Sequence, residues 1–331
     1  MNVIKTILVT GGAGYIGSHA VYLAIEKGYK VIVLDNLSTG NKKYVHKNAI
    51  FYNGDIRDEN ILRVIFNNTK VDQVLHFAAK SIVSESMIDP LKYYENNVYG
   101  TQVLLKVMKE FNVNSIVFSS TAAVYGMQEK MPLTEKNITN PTSVYGQTKL
   151  VMEKMIEHCS QAYGLKYIAL RYFNVAGAIK NASIGEEHSP ETHLIPKILK
   201  SIINGKEKII VFGDDYNTLD GTCIRDYIHV IDLIDAHLLS LDYLSKNNDN
   251  HIINLGTNSG ASVMEIIKKA SEVTGERIFY EISDRRDGDP DKLVASNTLA
   301  NEILGWKPKH SAITEIINDA WNWHKKEILD R

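Results

Sequence analysis

The sequence predicts an α/β fold: a Rossmann-like, doubly wound parallel sheet with a smaller C-terminal α/β domain. In the first half of the chain, short β-branched apolar runs alternate with longer segments of helical periodicity. Such alternation requires crossover connections between parallel strands, whose helices then cover both faces of the sheet. A glycine-rich turn directly after the first apolar run indicates the same fold independently. After Arg171 the alternation stops, so a second domain is expected.

The elements of the first half are predicted in regular alternation. Strands are expected at Ile4–Val9, Lys30–Leu34, Ala49–Tyr52, Gln73–Phe77, Ser115–Ser119 and Tyr167–Arg171. Helices are expected at Tyr15–Lys27, Asp58–Phe66, Tyr93–Phe111 and Val144–Tyr163. The first domain is therefore expected over residues 1–175, joined by returning segments near 226–250.

The second half predicts shorter elements and a less regular order. The stretch Asn174–His193 is rich in Gly, Ala, Ser, Asn and Glu and is expected to form no core element. Helices are expected at Ile195–Asn204, Val230–Leu244, Val263–Thr274 and Ile313–Lys325, and strands at Ile209–Phe212 and Ile252–Leu255. Residues 176–331 are expected to form the smaller domain.

Composition excludes several classes of protein. A formal net charge of −2 argues against a nucleic-acid polymer as partner, because such binding usually needs a basic excess. The two cysteines, Cys159 and Cys223, lack metal-ligand spacing, so reduced thiols and no metal site are expected. No apolar run approaches the roughly 18 residues of a membrane helix, and no signal segment is recognisable at the N-terminus. A cytoplasmic protein is expected.

A glycine-rich turn between the first strand and the first helix predicts a dinucleotide site. Gly11 allows the tight turn, Gly14 lets the backbone approach a pyrophosphate, and Gly17 lets helix and strand pack closely. The helix that begins near Tyr15 presents free N–H groups and a partial positive charge to the phosphates. The flanking strand and helix supply the context that a glycine motif alone lacks.

The end of the second strand predicts which dinucleotide binds. A carboxylate at Asp35 would accept hydrogen bonds from both adenosine ribose hydroxyls and repel a 2′-phosphate, which favours NAD over NADP. No arginine follows immediately to reverse this preference. The alternative for Asp35 is a surface-loop aspartate. Asp55 and Ile56, after the third strand, could bind the adenine amino group and pack on its ring.

The chemistry is predicted at the end of the fifth strand and in the helix after it. The fifth strand runs into Ser119 and Thr121, at the carboxyl edge where such sheets bind ligands. Tyr145 and Lys149 share one face of the next helix, and the lysine cation together with the positive nicotinamide ring would favour the tyrosine phenolate. With 17 tyrosines, about one such pair is expected by chance. The pair becomes significant because it follows the glycine turn, Asp35 and Thr121 in the chain, and four independent signals in this order are not expected to arise by chance.

Stretches that carry a family resemblance run along nearly the whole chain. They are Leu8–Gly17, Leu34–Leu37, Gly54–Arg57, His76–Ala79, Tyr93–Val98, Phe118–Gly126, Ser143–Lys149, Arg171–Gly177, Gly221–Val230 and Arg285–Asp289. On these stretches the chain resembles the extended short-chain dehydrogenase/reductase superfamily and, within it, the UDP-glucose 4-epimerase family. The later stretches are specific to the epimerase branch.

The resemblance implies roles for individual residues. Tyr145 would be the acid/base, Lys149 would anchor the nicotinamide ribose and tune Tyr145, and Thr121 takes the family's Ser/Thr position. Further cofactor contacts are implied for Tyr15, Ile16, Asn36, Phe77, Ala78, Ala79, Asn97, Ser119 and Phe173. Substrate contacts are implied for Thr121, Asn174, His193, Leu194, Phe212, Arg225, Arg286, Asp289 and Leu293. Phe212 would pack on uracil, both arginines would hold the diphosphate, and Asp289 would meet the uridine ribose.

The resemblance also implies an activity, the inversion of C4 of a UDP-hexose. Tyr145 would take the 4-hydroxyl proton while the C4 hydride passes to tightly bound NAD, and the hydride would return after the keto sugar turns. The implied substrates are UDP-galactose and UDP-glucose, and the implied assembly is a homodimer formed through helices of the first domain. Leu293, of intermediate size, leaves open whether UDP-GlcNAc and UDP-GalNAc are also accepted.

Two alternatives compete with the epimerase. A nucleotide-sugar 4,6-dehydratase of the same superfamily would carry an Asp-Glu pair after Thr121, but the chain has Ala122 and Ala123 and so lacks the acid and base of elimination. A non-catalytic NAD-sensing regulator would need the glycine turn but not Tyr145 and Lys149.

Two positions depart from the family pattern. Ser81 stands where many members carry a lysine, with Lys80 one place earlier. His193 stands where an asparagine often faces the substrate diphosphate.

Overall fold

A computed structural model describes residues 4–205, 207–286 and 289–329, which form two compact units. Unit 1 holds the chain up to Gly126 with Ile138–Arg171 and Ile234–Ile253; unit 2 holds Met127–Asn137, Tyr172–Leu233 and the chain from Asn254 onward. The division expected from the sequence, at residue 175, differs from these units in two places. It puts residues 127–137 in the first domain, and it places the segment that returns to that domain near 226–250. Asp287 and Gly288, inside a stretch that carries the family resemblance, lie outside the described residues.

Strands and helices alternate through unit 1 and become shorter in unit 2. The strands are β1 (Thr6–Thr10), β2 (Lys30–Asp35), β3 (Ile50–Asn53), β4 (Gln73–His76), β5 (Ser115–Ser119), β6 (Lys166–Tyr172), β7 (Asn174–Ala176), β8 (Ile209–Phe212), β9 (Ile224–Arg225), β10 (Tyr227–His229), β11 (His251–Leu255), β12 (Ala261–Ser262), β13 (Tyr280–Ser283) and β14 (Lys292–Leu293). The α-helices are α1 (Tyr15–Glu26), α2 (Glu59–Asn68), α3 (Val83–Ile88), α4 (Pro90–Tyr93), α5 (Gly100–Glu110), α6 (Val144–Tyr163), α7 (Leu194–Ile203), α8 (Val230–Lys246), α9 (Val263–Thr274), α10 (Thr298–Leu304) and α11 (Ile313–Leu329).

The main sheet has the order β11-β6-β5-β4-β1-β2-β3 in the described chain. From β3 to β6 every neighbouring pair is parallel. The chain therefore starts at β1, moves outward to β3, and then returns to continue from β4 on the other side. In sheets of this kind, ligands bind outside the carboxyl ends of the two strands where the order reverses, here β1 and β4. The predicted doubly wound α/β fold is confirmed.

Continuous burial explains why these strands lack an alternating pattern. All five residues of β1 are buried, as are all five of β5. A parallel sheet covered by helices on both faces needs apolar side chains on both, so its strands are nearly uniform apolar runs. Leu8, Ile32 and Phe118 from the sheet share one core with Leu104 of α5 and Met152 of α6.

The helix expected at Tyr93–Phe111 is interrupted. The structure instead has α4, a π-helical turn at Tyr94–Tyr99, and then α5. α5 begins at Gly100, where a Cβ atom would lie 2.7 Å from Ile56 Cγ2, so only glycine allows this approach to the third-strand loop. Turns of π-helix are frequent at functional sites, and this one contains the predicted cofactor residue Asn97.

Unit 2 is built from small sheets and a helical layer. β7 pairs with β10 and β8 with β13, both in parallel, while β9 lies between β12 and β14. Helices α7, α9 and α11 share a core that includes Ile198, Ile266 and Ile316. In the parts of the chain that are described, no helix combines the length and apolarity needed to cross a bilayer.

The expectation for Asn174–His193 was wrong. This stretch begins with β7, and Ala176, Ala178 and Ile184 are all buried. The strand was not predicted because three residues are too few to show a periodicity and the residues after it are mostly polar.

Candidate active site

The glycine-rich turn between β1 and α1 has the shape that a dinucleotide phosphate requires. Gly11 has φ +73°, and a Cβ atom on Gly17 would lie 2.0 Å from Gly11 O. At Gly14, by contrast, a Cβ atom would meet only Gly11 O, at 3.4 Å. Packing therefore dictates Gly11 and Gly17, whereas Gly14 leaves space in front of the first turn of α1. Gly14 is also the N-cap of α1 and caps it with no side chain, so the helical N–H groups at Tyr15 and Ile16 suit a pyrophosphate.

Asp35 is held against the glycine turn. Its buried carboxylate accepts hydrogen bonds from Ala13 N at 2.9 Å and Leu37 N at 2.8 Å. Each carboxylate oxygen has two acceptor positions, so capacity remains for ribose hydroxyls. Asp35 is therefore not a surface-loop aspartate. Its hydrogen bonds hold the glycine-rich turn in place.

Asp55 lies beside Asn36 and is clasped by Arg57. Asn36 Nδ2 donates to Asp55 Oδ2 at 2.8 Å, and two nitrogens of Arg57 donate to the same carboxylate, each at 2.8 Å. The Arg57 hydrogen bond lowers the pKa of Asp55 far below its usual value, against the effect of burial. Ile56 beside it is buried. Their contact with adenine stays a prediction.

The carboxyl end of β4 lies against the glycine turn. Phe77 N donates to Thr10 O at 3.1 Å, and a Cβ atom on Gly11 would lie 2.7 Å from Ala78 N. This brings Phe77–Ala79 to the reversal point of the sheet. His76, which sequence reasoning missed as a site residue, is buried below them between the Thr10 and Thr101 hydroxyls at 2.7 and 2.9 Å. Burial and the Lys149 charge lower the pKa of His76 to about 3.

Asn97 fixes the loop that follows β4. Its Nδ2 donates to Lys80 O at 3.0 Å and to Thr148 Oγ1 at 3.1 Å, and its Oδ1 accepts from Lys80 N at 2.8 Å. Lys80 Nζ in turn donates to Ser38 Oγ at 3.1 Å. The departure at Ser81 thus leaves a lysine one residue earlier, with its side chain directed to the loop after β2.

Thr121, Tyr145 and Lys149 are positioned by two helix starts. Thr121 caps a 3-10 turn at Ala122–Tyr125, and Ser143 caps α6 through a hydrogen bond from Gly146 N at 3.1 Å. A Cβ atom on Gly146 would lie 2.6 Å from Ala123 O, so glycine lets α6 approach the 3-10 turn closely. Thr121 is hydrogen-bonded to the Tyr145 phenol. Lys149 Nζ donates to Ser119 O at 2.7 Å.

Burial governs the charges of the Tyr145–Lys149 pair. It raises the pKa of Tyr145 to about 12, against the lowering effect of the Thr121 hydrogen bond. It also lowers the pKa of Lys149 to about 7, against the raising effect of Glu153. Burial thus disfavours the charged form of both groups, and the expectation that Lys149 and the positive nicotinamide ring together bring the Tyr145 pKa towards the working range stays a prediction.

Glu153 is a residue that sequence reasoning missed. It lies on α6 two turns after Tyr145 and one after Lys149, and it is buried. Its carboxylate accepts hydrogen bonds from Arg171 Nε at 2.9 Å and Nη2 at 2.6 Å, and from Ser120 Oγ at 2.5 Å. The signal available in the sequence was the spacing i, i+4, i+8, which places all three side chains on one helix face.

Comparison with known proteins assigns the family. A family model described as GDP-mannose 4,6 dehydratase matches residues 8–320. The UDP-glucose 4-epimerase of Lactobacillus helveticus is 54% identical over 319 residues, 96% of this chain and 97% of that protein. The crystal structure of UDP-glucose 4-epimerase from Brucella ovis in complex with NAD matches with a TM-score of 0.94 at 43% identity, over 96% of this chain and 98% of that one. The chain belongs to the UDP-glucose 4-epimerase family. The crystal structure of UDP-glucose 4-epimerase from Bifidobacterium longum in complex with NAD+ and UDP matches with a TM-score of 0.92 at 38% identity, over 98% of this chain and 99% of that one.

Unit 2 brings together two of the residues that the epimerase family implies for UDP. Arg225 Nη2 donates to Asp289 Oδ1, and Arg225 Nη1 donates to Ile224 O at 2.7 Å. The Tyr216 hydroxyl, which the sequence did not single out, donates to the second oxygen of Asp289 at 3.2 Å. The arginine expected at the diphosphate and the carboxylate expected at the ribose therefore orient each other. Leu293 of β14 pairs with Arg225 of β9.

Phe212 and Arg286, also in unit 2, are stacked. The guanidinium carbon of Arg286 lies 4.0 Å from the centroid of the Phe212 ring. A planar guanidinium on an aromatic face is a cation–π contact. The Phe212 ring, which the family resemblance assigns to uracil, thus has on one face Arg286, which the resemblance assigns to the diphosphate.

The other site residues expected in unit 2 lie next to or within β7 and at the start of α7. Phe173 is half-buried, and the Asn174 side chain is hydrogen-bonded to the Tyr227 phenol. His193 Nδ1 is hydrogen-bonded to Glu186 Oε1, and Leu194 is the first residue of α7. Burial opposes ionisation of Glu186, but hydrogen bonds from His188 and His193 outweigh it and lower the pKa of Glu186 to about 2.

Proposed function

We propose that the chain interconverts UDP-galactose and UDP-glucose by reversible oxidation at C4, with NAD retained throughout. The observation that carries this is the hydrogen-bonded pair of Thr121 and Tyr145, with Lys149 at the carboxyl end of β5. That edge of the sheet is the ligand-binding edge of the fold. The glycine turn and Asp35 fit a dinucleotide without a 2′-phosphate, and relatives more than 50% identical are UDP-glucose 4-epimerases. The chain is an isomerase that uses NAD as its cofactor.

Each catalytic residue has one task in this reaction. When bound, NAD would supply the reversible hydride acceptor for C4. The Tyr145 phenolate takes the proton from the 4-hydroxyl, Thr121 hydrogen-bonds the same oxygen, and Lys149 holds the cofactor ribose. Because burial raises the pKa of Tyr145 to about 12, the phenolate requires an added positive charge, which the oxidised nicotinamide would provide when bound.

The UDP moiety is proposed to bind the residues of unit 2. Arg225 and Arg286 take the diphosphate, Phe212 the uracil and Asp289 the ribose; the further contacts are Asn174, His193, Leu194 and Leu293. Forks of paired donors suit phosphate oxygens, which supports the two arginines. Affinity at the nucleotide, remote from the reacting carbon, leaves the 4-keto hexose free to turn while it stays bound. Arg286 would have to share or leave the Phe212 ring when uracil binds.

The dehydratase alternative is not favoured. The 3-10 turn that follows Thr121 begins with Ala122 and Ala123, and neither side chain can donate or accept the proton of an elimination. An NAD-sensing regulator would not need Thr121 hydrogen-bonded to Tyr145.

A single assay separates the three functions. Purified protein is incubated with UDP-galactose and no added NAD, and the products are followed by NMR. The proposal predicts UDP-glucose; a dehydratase would yield a 4-keto-6-deoxy sugar nucleotide, and a regulator would leave UDP-galactose unchanged. Either of the latter outcomes overturns the proposal.

We further propose a cytoplasmic homodimer formed through helices of unit 1. Large apolar side chains are exposed on α3, α4 and the π-helical turn: Met87, Ile88, Leu91, Tyr94 and Tyr99. Several large apolar side chains exposed within one short stretch are typical of protein interfaces. The two cysteines are unpaired, as a reducing compartment permits. Light scattering during size exclusion should give twice the mass of one chain, and the mass of one chain would contradict the dimer.

A further inference from the structure

The segment between β7 and α7 gathers four side chains with metal-ligand chemistry. They are Glu186, His188, Glu191 and His193, and one ligand atom from each lies within 4.8 Å of all the others. We propose that this cluster binds one divalent transition-metal ion, of which Zn²⁺ fits best. The site was not predicted from the sequence because its four residues include no cysteine and do not lie on one helix; the fold of the loop brings the donors together.

Distances within the cluster suit a tetrahedral ion. His188 Nδ1 lies 3.1 Å from Glu186 Oε1 and 3.9 Å from Glu191 Oε1, and His193 Nδ1 is hydrogen-bonded to that same oxygen of Glu186. Zinc bonds of about 2.0–2.1 Å place the ligand atoms of a tetrahedral site about 3.3 Å apart. The separations of 3.1 and 3.9 Å are within about 0.6 Å of this value, whereas the widest separation, up to 4.8 Å, would have to close by about 1.5 Å for all four donors to surround an ion.

The charge of the cluster also calls for a cation. The Glu186 and Glu191 side chains are 4% and 8% exposed, so both carboxylates are largely removed from water, whereas the His193 side chain beside them is 54% exposed. Lys200 Nζ, 3.0 Å from Glu191 Oε2, supplies one positive charge, and the imidazoles of His188 and His193 lie against Glu186. Two buried carboxylates close together repel each other unless charge of opposite sign compensates both. A dication at the imidazole nitrogens would take the place of the imidazole protons in compensating the carboxylates.

Supporting contacts hold the donors in place. Glu191 Oε1 accepts hydrogen bonds from Thr192 N at 2.9 Å and His193 N at 3.0 Å, and Lys200 on α7 fixes the other oxygen. Such outer contacts orient metal-binding carboxylates. The ion would tie the loop to the start of α7, where the proposed substrate contacts His193 and Leu194 lie. With Nδ1 of His193 on the ion, Nε2 would remain for the substrate contact.

Metal retention by the full-length protein tests the site. Protein stripped with EDTA receives excess Zn²⁺, is desalted, and is analysed for zinc by mass spectrometry. We expect about one zinc per chain and a higher midpoint of thermal unfolding. His188→Asn and Glu186→Gln should bind zinc at least about 10-fold more weakly. His158→Asn, which removes an exposed histidine of α6, is the matched control and should retain it.

Cobalt gives a second reading that needs no variant. Co²⁺ bound to the stripped wild-type protein should show the strong visible absorption of tetrahedral coordination, and one equivalent of Zn²⁺ should abolish it. Weak octahedral absorption, or equal zinc retention by wild type and His188→Asn, would overturn the proposal. Because neither reading uses turnover, the metal site and the proposed function can fail separately.

Discussion

Tyr145 shows how burial sets the chemistry of a single residue. In water a phenol is a poor base at neutral pH, and in this chain burial makes it poorer still, with a pKa of about 12. One pKa unit corresponds to about 1.4 kcal/mol, so the cost of forming the phenolate is large unless positive charge stands beside it. Proton transfer by Tyr145 is therefore coupled to the oxidised, cationic state of the cofactor.

Removing the Tyr145 hydroxyl should abolish most turnover without releasing the cofactor. For Tyr145→Phe we expect kcat to fall about 10²–10⁴-fold, the usual contribution of a general base. Bound NAD, measured by absorbance after denaturation, should be unchanged. Tyr163→Phe, at the far end of the same helix, is the control and should retain turnover. Near-normal kcat in Tyr145→Phe would remove this residue from the mechanism.

Leu293 is the residue at which substrate range should change. For Leu293→Tyr we expect kcat/KM for UDP-GalNAc to fall relative to UDP-galactose by about 10-fold or more, because the N-acetyl group needs the space that the ring would fill. Leu293→Met, of similar volume, should leave the ratio unchanged. Parallel assays of both sugars give the ratio; an unaltered ratio in Leu293→Tyr would contradict the gate.

Helix α6 carries three functional groups on one face. Glu153 pairs with Arg171 while both are almost completely buried, at 1% and 5% side-chain exposure. Removing one partner of a buried pair costs about 3–5 kcal/mol, because the other charge is left uncompensated. The pair therefore fixes the helix that holds Tyr145 and Lys149.

Neutralising Glu153 should affect both stability and the Lys149 charge. For Glu153→Gln we expect the free energy of unfolding to fall by about 3 kcal/mol, by urea denaturation. Because the Glu153 charge raises the Lys149 pKa, the alkaline limb of the kcat–pH profile should also move to lower pH. Glu157→Gln, in a surface pair with Lys154 at 2.8 Å, should cost less than about 1 kcal/mol. Equal effects of the two changes would contradict this role.

How well an element could be predicted depended on its length and its signals. Val144–Tyr163 was predicted with both bounds correct, because Ser143 is a strong N-cap and Gly164 takes the left-handed conformation after the last turn. The two-residue strands β9, β12 and β14 were missed, since no periodicity can show in two residues. The π-helical turn was missed because it depends on tertiary contacts of Asn97 and not on local preference.

The candidate site was predictable where motifs are local. The glycine-rich turn, the acidic residue at the end of a strand and the Tyr/Lys spacing can each be recognised within a short continuous segment of the sequence. Partnerships across the sequence could not be: Arg225 with Asp289, Glu153 with Arg171, and the loop cluster around Glu186 each depend on folding.

At the scale of the whole molecule, His76 should make stability depend on pH. Its folded pKa of about 3 lies below the ordinary value, so only the unfolded chain binds the proton between about pH 6.5 and pH 3. Its contribution is fully present above pH 6.5 and is lost as pH falls towards 3, at about 1.4 kcal/mol per pH unit.

Comparison with a variant isolates this contribution. We expect the unfolding free energy of His76→Asn to fall less steeply than that of wild type between pH 6.5 and pH 5, by urea denaturation. His158→Asn, at an exposed position, should keep the wild-type slope. Identical slopes for wild type and His76→Asn would show that His76 is not the group responsible.

The central claim is that one hydride leaves C4 of the sugar and returns to it without leaving the protein. The most direct measurement uses UDP-galactose carrying deuterium at C4, incubated with the protein and no added NAD, with the product analysed by NMR. We expect UDP-glucose with the deuterium still at C4. Product that has lost the deuterium to solvent, or conversion that requires added NAD at each turnover, would contradict it.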